Sequence, residues 1–161
     1  MDFDTRAFRD TLGCFPTGVA VITAESTDRP AMGITVNSFT SVSLDPPLVL
    51  WCADLHSHRC QTFMDASAFT ISILDAGHRH VSARLAKPGA HSLEGIALRQ
   101  TELGPPALEE ALAVLECARE AVHQGGDHAI LLGRVLRFSR KADGPPLVFF
   151  RGRYGTFSDG C

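Results

Sequence analysis

Five small hydrogen-bonding side chains, Thr35, Asn37, Ser38, Thr40 and Ser41, stand within seven residues at the junction of two β-patterned runs. Val42 and Leu44 alternate with Ser41 and Ser43, the period of a half-buried strand. Asp45-Pro46-Pro47 then stops that strand, because proline fixes φ and has no N–H to give to a ladder. A turn needs one or two polar side chains. Five at one strand junction point to a surface that meets a polar, planar or anionic ligand. A solvated turn flanked by strand serines is the alternative that residue types alone leave open.

The remaining pattern is that of a β protein. Asp4 to Leu12 reads as a short helix capped by Asp4 or Thr5, with Phe8 and Leu12 on one face. Strands are expected over 18–24, 31–38, 40–44, 48–53, 69–74, 128–139 and 147–150, the sixth holding Gly133 as a bulge. Ser57 to Ala66 reads as a helix with Ser57 as its N-cap, and His78 to Leu85 as another. Lys87 to Pro106 is polar, poorly periodic and broken by Gly and Pro, the pattern of a loop or lid. Residues 112–122 favour a helix by their Ala and Glu content. No regular β-α-β alternation is present, so an antiparallel barrel with Greek-key connections is expected over a parallel doubly wound sheet.

A length of 161 residues suits one domain, 1–161, with a sizeable core. The net charge of −3, with no Lys/Arg cluster to offset it, argues against a nucleic-acid partner. The acidic start Met1-Asp2-Phe3-Asp4 lacks the layout of a signal peptide, and no apolar run approaches the ~20 residues that span a bilayer. No membrane partner is expected. The five cysteines, an odd number with no Cys-x-x-Cys pair, fit reduced thiols in a cytoplasm.

Four motifs follow one another at compatible spacing. They are Phe15-Pro16-Thr17-Gly18-Val19-Ala20-Val21-Ile22-Thr23, the run from Thr35 to Pro47, Gly126-Asp127-His128, and Phe150-Arg151-Gly152-Arg153-Tyr154-Gly155. Over nearly the whole chain they resemble the FMN-binding split-barrel flavin reductases, the small partners of two-component flavin monooxygenases. The resemblance implies a mainly β split barrel with short helices, a strand over 112–122, and a homodimer with flavin sites at or near the subunit interface. It implies hydride transfer from NADH or NADPH to FMN or FAD, and delivery of reduced flavin to a partner monooxygenase component.

The resemblance also implies site residues. Met32, Thr35, Val36, Asn37, Ser38 and Ser41 would contact the flavin, whose ring edge calls for N–H groups and small hydroxyls where charge develops. Ser57 and His58, at a helix start, would meet the flavin phosphate. Residue types alone leave two other readings of His56, His58 and Cys60: a metal pair with a thiolate, or a plain surface helix. No metal is expected. Arg84, with Lys87 behind it, would grip the ribityl phosphate, or else end an exposed basic helix. Leu85 stands where the family often has Phe.

His128 would meet the nicotinamide as the catalytic positioning group, with Asp127 as a turn residue or its orienter. Arg151, Gly152, Arg153 and Tyr154 would complete the nicotinamide site, the arginines on the pyrophosphate and the tyrosine on a ring, unless they are a basic tail. No Gly-x-Gly-x-x-Gly follows a strand, and no Gly-x-Ser-x-Gly elbow supports Ser-His-Asp hydrolysis. Two rivals share the pattern: an enzyme that keeps FMN and reduces another acceptor such as a corrinoid, and a non-catalytic flavin-binding module. The module has no use for the Gly126-Asp127-His128 and Arg151–Tyr154 segments.

Overall fold

A computed structural model of the chain describes residues 3–26, 29–57 and 59–158. In chain order the elements are α1 (Thr5–Leu12), β1 (Thr17–Gly18), β2 (Ala20–Ser26), β3 (Arg29–Val36), β4 (Thr40–Leu44), β5 (Pro47–Asp54), α2 (Cys60–Asp65) and β6 (Ala68–Ile73). A 3-10 turn (Ala76–His78) leads into α3 (Arg79–Leu85). Then come β7 (Leu98–Arg99), β8 (Ala107–Leu108), β9 (Ala113–Gly125), β10 (His128–Arg140), β11 (Leu147–Phe150) and β12 (Arg153–Thr156). Seven strands form one antiparallel sheet in the order β3-β2-β6-β9-β10-β5-β4, and β1-β11-β12 form a small second one.

The large sheet curls around a core to which every strand but the edge strand β4 contributes a buried residue. Ile22, Met32, Val36, Trp51, Phe69 and Leu131 pack together on its inner face, and α2 adds Cys60 and Phe63. Trp51 is fully buried and meets Phe63 and Phe69 edge-on, at centroid separations of 5.5 and 5.9 Å. Val21 on the outer face of β2, and Val19 just before that strand, enter a second core with Leu74, Val81, Leu85, Leu93, Leu108 and Leu147. Burial on both faces fits the near-continuous apolar start of β2, Ala20-Val21-Ile22, with Thr23 the one polar side chain before Ala24.

The expected barrel does not close. β3 and β4 are the two ends of the seven-stranded order and are not paired with each other. The outer edge of β3 is instead taken by a loop: the Gly33 N–H donates to the His91 carbonyl at 3.0 Å, and Met32 bridges Ser92. At the other end, Val42 and Leu44 do not face inward as their alternation suggests. Both are exposed, Leu44 at 94%, because a bulge between Ser41 and Ser43 turns the apolar side of this edge strand outward.

Three further expectations are corrected. The helix expected over 57–66 spans only Cys60–Asp65, so Ser57 is not its cap; its hydroxyl accepts from the Arg59 N–H at 3.4 Å in a local turn. Residues 87–106 are the expected loop apart from β7, but they are not a free lid. Two threonine hydroxyls from fully buried strand positions reach across to their end: Thr23 donates to the Pro106 carbonyl at 2.5 Å and Thr70 to the Pro105 carbonyl at 2.6 Å. Buried Ser72 accepts the Leu108 N–H at 3.1 Å. Last, the C-terminal Arg-Gly-Arg-Tyr segment is a hairpin with its own strand, β12, where the sequence reading ended the strands at Phe150. By contrast, residues 113–125 are a strand despite their helix-forming content. The register does shift beside Gly133, but the extra residue there is Glu120 on β9, and the bulge of β10 itself falls at Leu136. No helix among the described residues is long and apolar enough to cross a membrane.

Candidate functional site

The polar corner between β3 and β4 is the meeting point of two clefts. On one side, a cleft of about 420 Å3 is lined by Ile34 to Ser38, Cys52, Gly125, His128 and Ile130. On the other, a pocket of about 160 Å3 is lined by Val19, Thr35 to Asn37, Ala86, Phe149 and Tyr154. Tyr154 also walls a larger cleft of about 690 Å3 with Pro16, Phe150, Arg151 and Arg153. The corner therefore shares one cleft with His128 and another with Tyr154 of the C-terminal hairpin.

The corner hydroxyls are partly committed to the fold. Thr35 donates to the Ser82 carbonyl at 2.8 Å. Ser38 accepts the Cys52 N–H at 2.9 Å and so ties the corner to β5. Asn37 is exposed, and its amide makes no hydrogen bond among the described residues. Ser41 lies on exposed β4, outside the linings of both corner clefts. Met32 is 4% exposed and packs in the core, touching only a separate cleft of about 560 Å3 with Arg59, His91, Ser92 and Glu94.

His128 opens β10 after a two-residue turn, Gly126-Asp127. Gly126 has a φ of +72° and Asp127 has not, the pattern of a type II′ hairpin that glycine at its first position satisfies. The His128 Nδ1–H donates to the Asp127 carboxylate at 2.7 Å, leaving Nε2 as the ring nitrogen free to act. That hydrogen bond, with the positive charge His128 can carry, holds the Asp127 carboxyl below the usual carboxylate range. Across the ladder, His128 pairs with Asp54, whose carboxyl is lowered chiefly by the backbone N–H of His56. The histidine thus starts its strand between two carboxylates.

The C-terminal hairpin turns through Arg151-Gly152, both at positive φ (+47° and +74°). The Arg151 N–H donates to the Gly13 carbonyl at 3.0 Å, and its guanidinium lies 5.2 Å from the Phe150 ring centroid and 3.7 Å from the Cys14 sulfur. Arg153 is exposed in the same cleft. Tyr154 meets Phe149 edge-on at 5.4 Å, lies under the Arg79 guanidinium at 5.8 Å, and shares a 2.8 Å hydrogen bond with the Ser82 hydroxyl.

Arg84, half-buried in the last turn of α3, donates to the Ser92 carbonyl at 2.7 Å. His58 lies outside the described residues. His56 is exposed and pairs with Asp54 at 3.1 Å, while Cys60 points into the core and burial pushes its thiol up. No three His, Cys, Asp or Glu side chains among the described residues gather as a metal site.

The structure thus brings Thr35, Val36, Asn37, Ser38 and His128 into one cleft. It does not bring Met32, Ser41, Ser57 or Arg84 there, and it puts Arg151 and Arg153 one cleft away, with Gly152 in the turn between them and outside that lining. The sequence reading missed Ile34, Cys52 and Ile130 as lining residues, and Phe149 and Ser82 beside Tyr154. Their side chains are apolar or small in runs that read as core, so nothing in their types marked them.

Comparison with known proteins fits this arrangement. The chain is 44% identical over 155 residues to "FMN reductase (NADH) SmoA" of Agrobacterium fabrum, covering 96% of this chain and 87% of that protein. It is 40% identical over 153 residues to "Flavin-dependent monooxygenase, reductase subunit HsaB" of Mycobacterium tuberculosis, covering 94% and 81%. Among solved structures, the NADH:FAD oxidoreductase SgcE6 of Streptomyces globisporus, in complex with NAD and FAD fragments, superposes with a TM-score of 0.90. The two are 35% identical, over 96% of this chain and 93% of that one. The flavin reductase-like domain model matches residues 12–158, from the end of α1 past β12, and the chain belongs to that family.

Proposed function

We propose that this protein is an NAD(P)H:flavin oxidoreductase that passes a hydride to FMN or FAD and supplies the reduced flavin to a partner monooxygenase. The observation that carries the reading is the single cleft in which the corner Thr35–Ser38 faces His128. Its residues fit a flavin. Ile34, Val36 and Ile130 offer a flat ring an apolar seat, and the unpartnered amide of Asn37 stands at its polar edge. The relatives add the nucleotide: SmoA is named for NADH, and SgcE6 was solved with NAD and FAD fragments.

Bound flavin accepts two electrons and one hydrogen nucleus as the hydride leaving the reduced nicotinamide, so no side chain has to be oxidised. The protein's task is alignment. Asp127 fixes the His128 ring, and Nε2 is then placed to orient the nicotinamide carboxamide over the corner. Arg153, exposed and without a protein partner among the described residues, supplies the cation for the dinucleotide pyrophosphate, and Tyr154 walls the passage between the clefts. We assign Arg84, Ser57 and His58 to the flavin's phosphate end and Met32 and Ser41 to the rim of the flavin site, on the resemblance alone.

The same reading takes 1–161 as one split-barrel domain with Greek-key connections, working as a cytoplasmic homodimer. Exposed Val42 and Leu44 on β4, with Leu136 and Phe138 on the part of β10 that runs past its pairing with β5, supply apolar surface for a second copy. Free thiols at Cys14, Cys52, Cys60 and Cys117 suit a reducing compartment.

Anaerobic stopped-flow mixing of FMN or FAD with NADH or NADPH tests the function. At least one of the four pairs is expected to bleach the flavin at a rate set by protein concentration. Bleaching no faster than in buffer for all four would exclude the reductase.

A further inference from the structure

Ser82 is fully buried in the middle of α3, yet both of its polar ends are engaged by the two halves of the site. Its carbonyl accepts the Thr35 hydroxyl of the corner at 2.8 Å, and its hydroxyl shares a 2.8 Å hydrogen bond with the Tyr154 phenol of the C-terminal hairpin. The pocket of about 160 Å3 lies between these contacts, lined by Thr35 on one side and Tyr154 on the other. The other neighbours of the Tyr154 ring constrain it differently. Phe149 touches it edge-on and Arg79 lies over its face, contacts that tolerate rotation and sliding. The hydrogen bond to Ser82 is the directional one.

We propose that Ser82 is a positioning residue that sets the C-terminal hairpin in register with the flavin corner, by holding the Tyr154 ring at the wall shared by the two clefts. This rests on the reductase reading above. The carbonyl contact to Thr35 survives any change of the Ser82 side chain, whereas the contact to Tyr154 does not. Loss of the hydroxyl therefore loosens the nucleotide side and leaves the flavin side in place.

The test is a double-mutant cycle of Ser82→Ala and Tyr154→Phe, which remove the two ends of one hydrogen bond. Each single variant is expected to raise the Michaelis constant for the nucleotide about three- to tenfold, the worth of one neutral hydrogen bond. Flavin affinity, read by fluorescence quenching, is expected to stay within about twofold, and the double variant to be no worse than either single one. Tyr154→Phe keeps the ring and its packing, so it reports even where Ser82→Ala weakens the fold. A merely structural serine would lower flavin affinity, nucleotide affinity and melting temperature together. That pattern, an unchanged Michaelis constant in both single variants, or effects that multiply in the double variant, would overturn the proposal while leaving the reductase reading standing. A wild-type protein that reduces no flavin with either nucleotide overturns both.

Discussion

Two hairpin turns carry the residues to which the proposed function gives the nucleotide, and they are built in opposite ways. The β9–β10 turn puts glycine at its one positive-φ position, so it is relaxed, and beyond the ladder it is tied to β5's end by the Leu55 N–H on the Asp127 carbonyl. Its chemistry is a side chain, His128, presented at the strand start. The β11–β12 turn needs two positive-φ residues, the type I′ pattern for which Asn-Gly is preferred, and places Arg151 at the first. A left-handed arginine costs about 1–2 kcal/mol, and the two residues that follow α1 offset it: the Gly13 carbonyl accepts the Arg151 N–H and the Cys14 sulfur lies against its guanidinium. One turn is free to present a ligand-facing group. The other spends its first arginine on its own anchorage and leaves the second for solvent.

His128→Ala breaks the comparison most severely. An alignment role predicts that flavin affinity stays near wild type, while anaerobic single-turnover reduction of prebound flavin slows on the order of a hundredfold. A wild-type rate would remove the Gly126-Asp127-His128 turn from the chemistry. The two arginines sharpen it next. Arg153→Ala should raise the nucleotide Michaelis constant roughly tenfold through a lost charge-assisted contact. Arg151→Asn suits the turn, so it should change that constant less than about threefold and leave the melting temperature level or higher. The reverse ranking would mean that Arg151, not Arg153, meets the nucleotide.

Asp127→Asn is expected to act more gently, lowering the hydride-transfer rate a few-fold by freeing the His128 ring. The sign of the pH effect follows from the lowered Asp127 carboxyl. A carboxylate held below its unfolded value contributes stability that is present above the unfolded value and lost as pH falls through the folded one. The hairpin contact should therefore persist from neutral pH to below the ordinary carboxylate range. A contact already lost at pH 5, seen as wild-type and Asp127→Asn rates converging there, would contradict it. The smallest effect is none: exhaustive chelation should leave flavin reduction unchanged. One zinc per chain, with activity lost on its removal, would restore the metal reading of His56, His58 and Cys60.

The sequence was most legible where residue type and geometry agree. The alternating and β-branched runs located most strands of the large sheet, and the crowded hydroxyls marked the corner. It was least legible where one segment's partner lies far along the chain. Residues 113–125 are helix formers held as a strand by β6 and β10, a tertiary override that composition does not signal. The apolar side of β4 follows an alternation that in one chain points outward. Arg151-Gly152 was not legible as a turn because the Arg-Gly pair is not a usual hairpin signal, and its support comes from Gly13, just past the end of α1. Thr35 and Ser38 were legible as polar, but which of them the fold itself uses depends on Ser82 and Cys52, which no local pattern connects to them.

The threonine contacts to Pro105 and Pro106 bear on how the molecule opens. Prolines have no amide hydrogen, so this stretch can be fastened only through its carbonyls, and Thr23 and Thr70 do so from inside the sheet. The neighbouring amide of Leu108, given to Ser72, then becomes the label for the whole junction. In hydrogen–deuterium exchange it should be protected like the central strands β2 and β6, far more slowly than its place next to a long irregular segment suggests. The connection would then open only when the sheet itself does, as one cooperative unit with the strands it crosses.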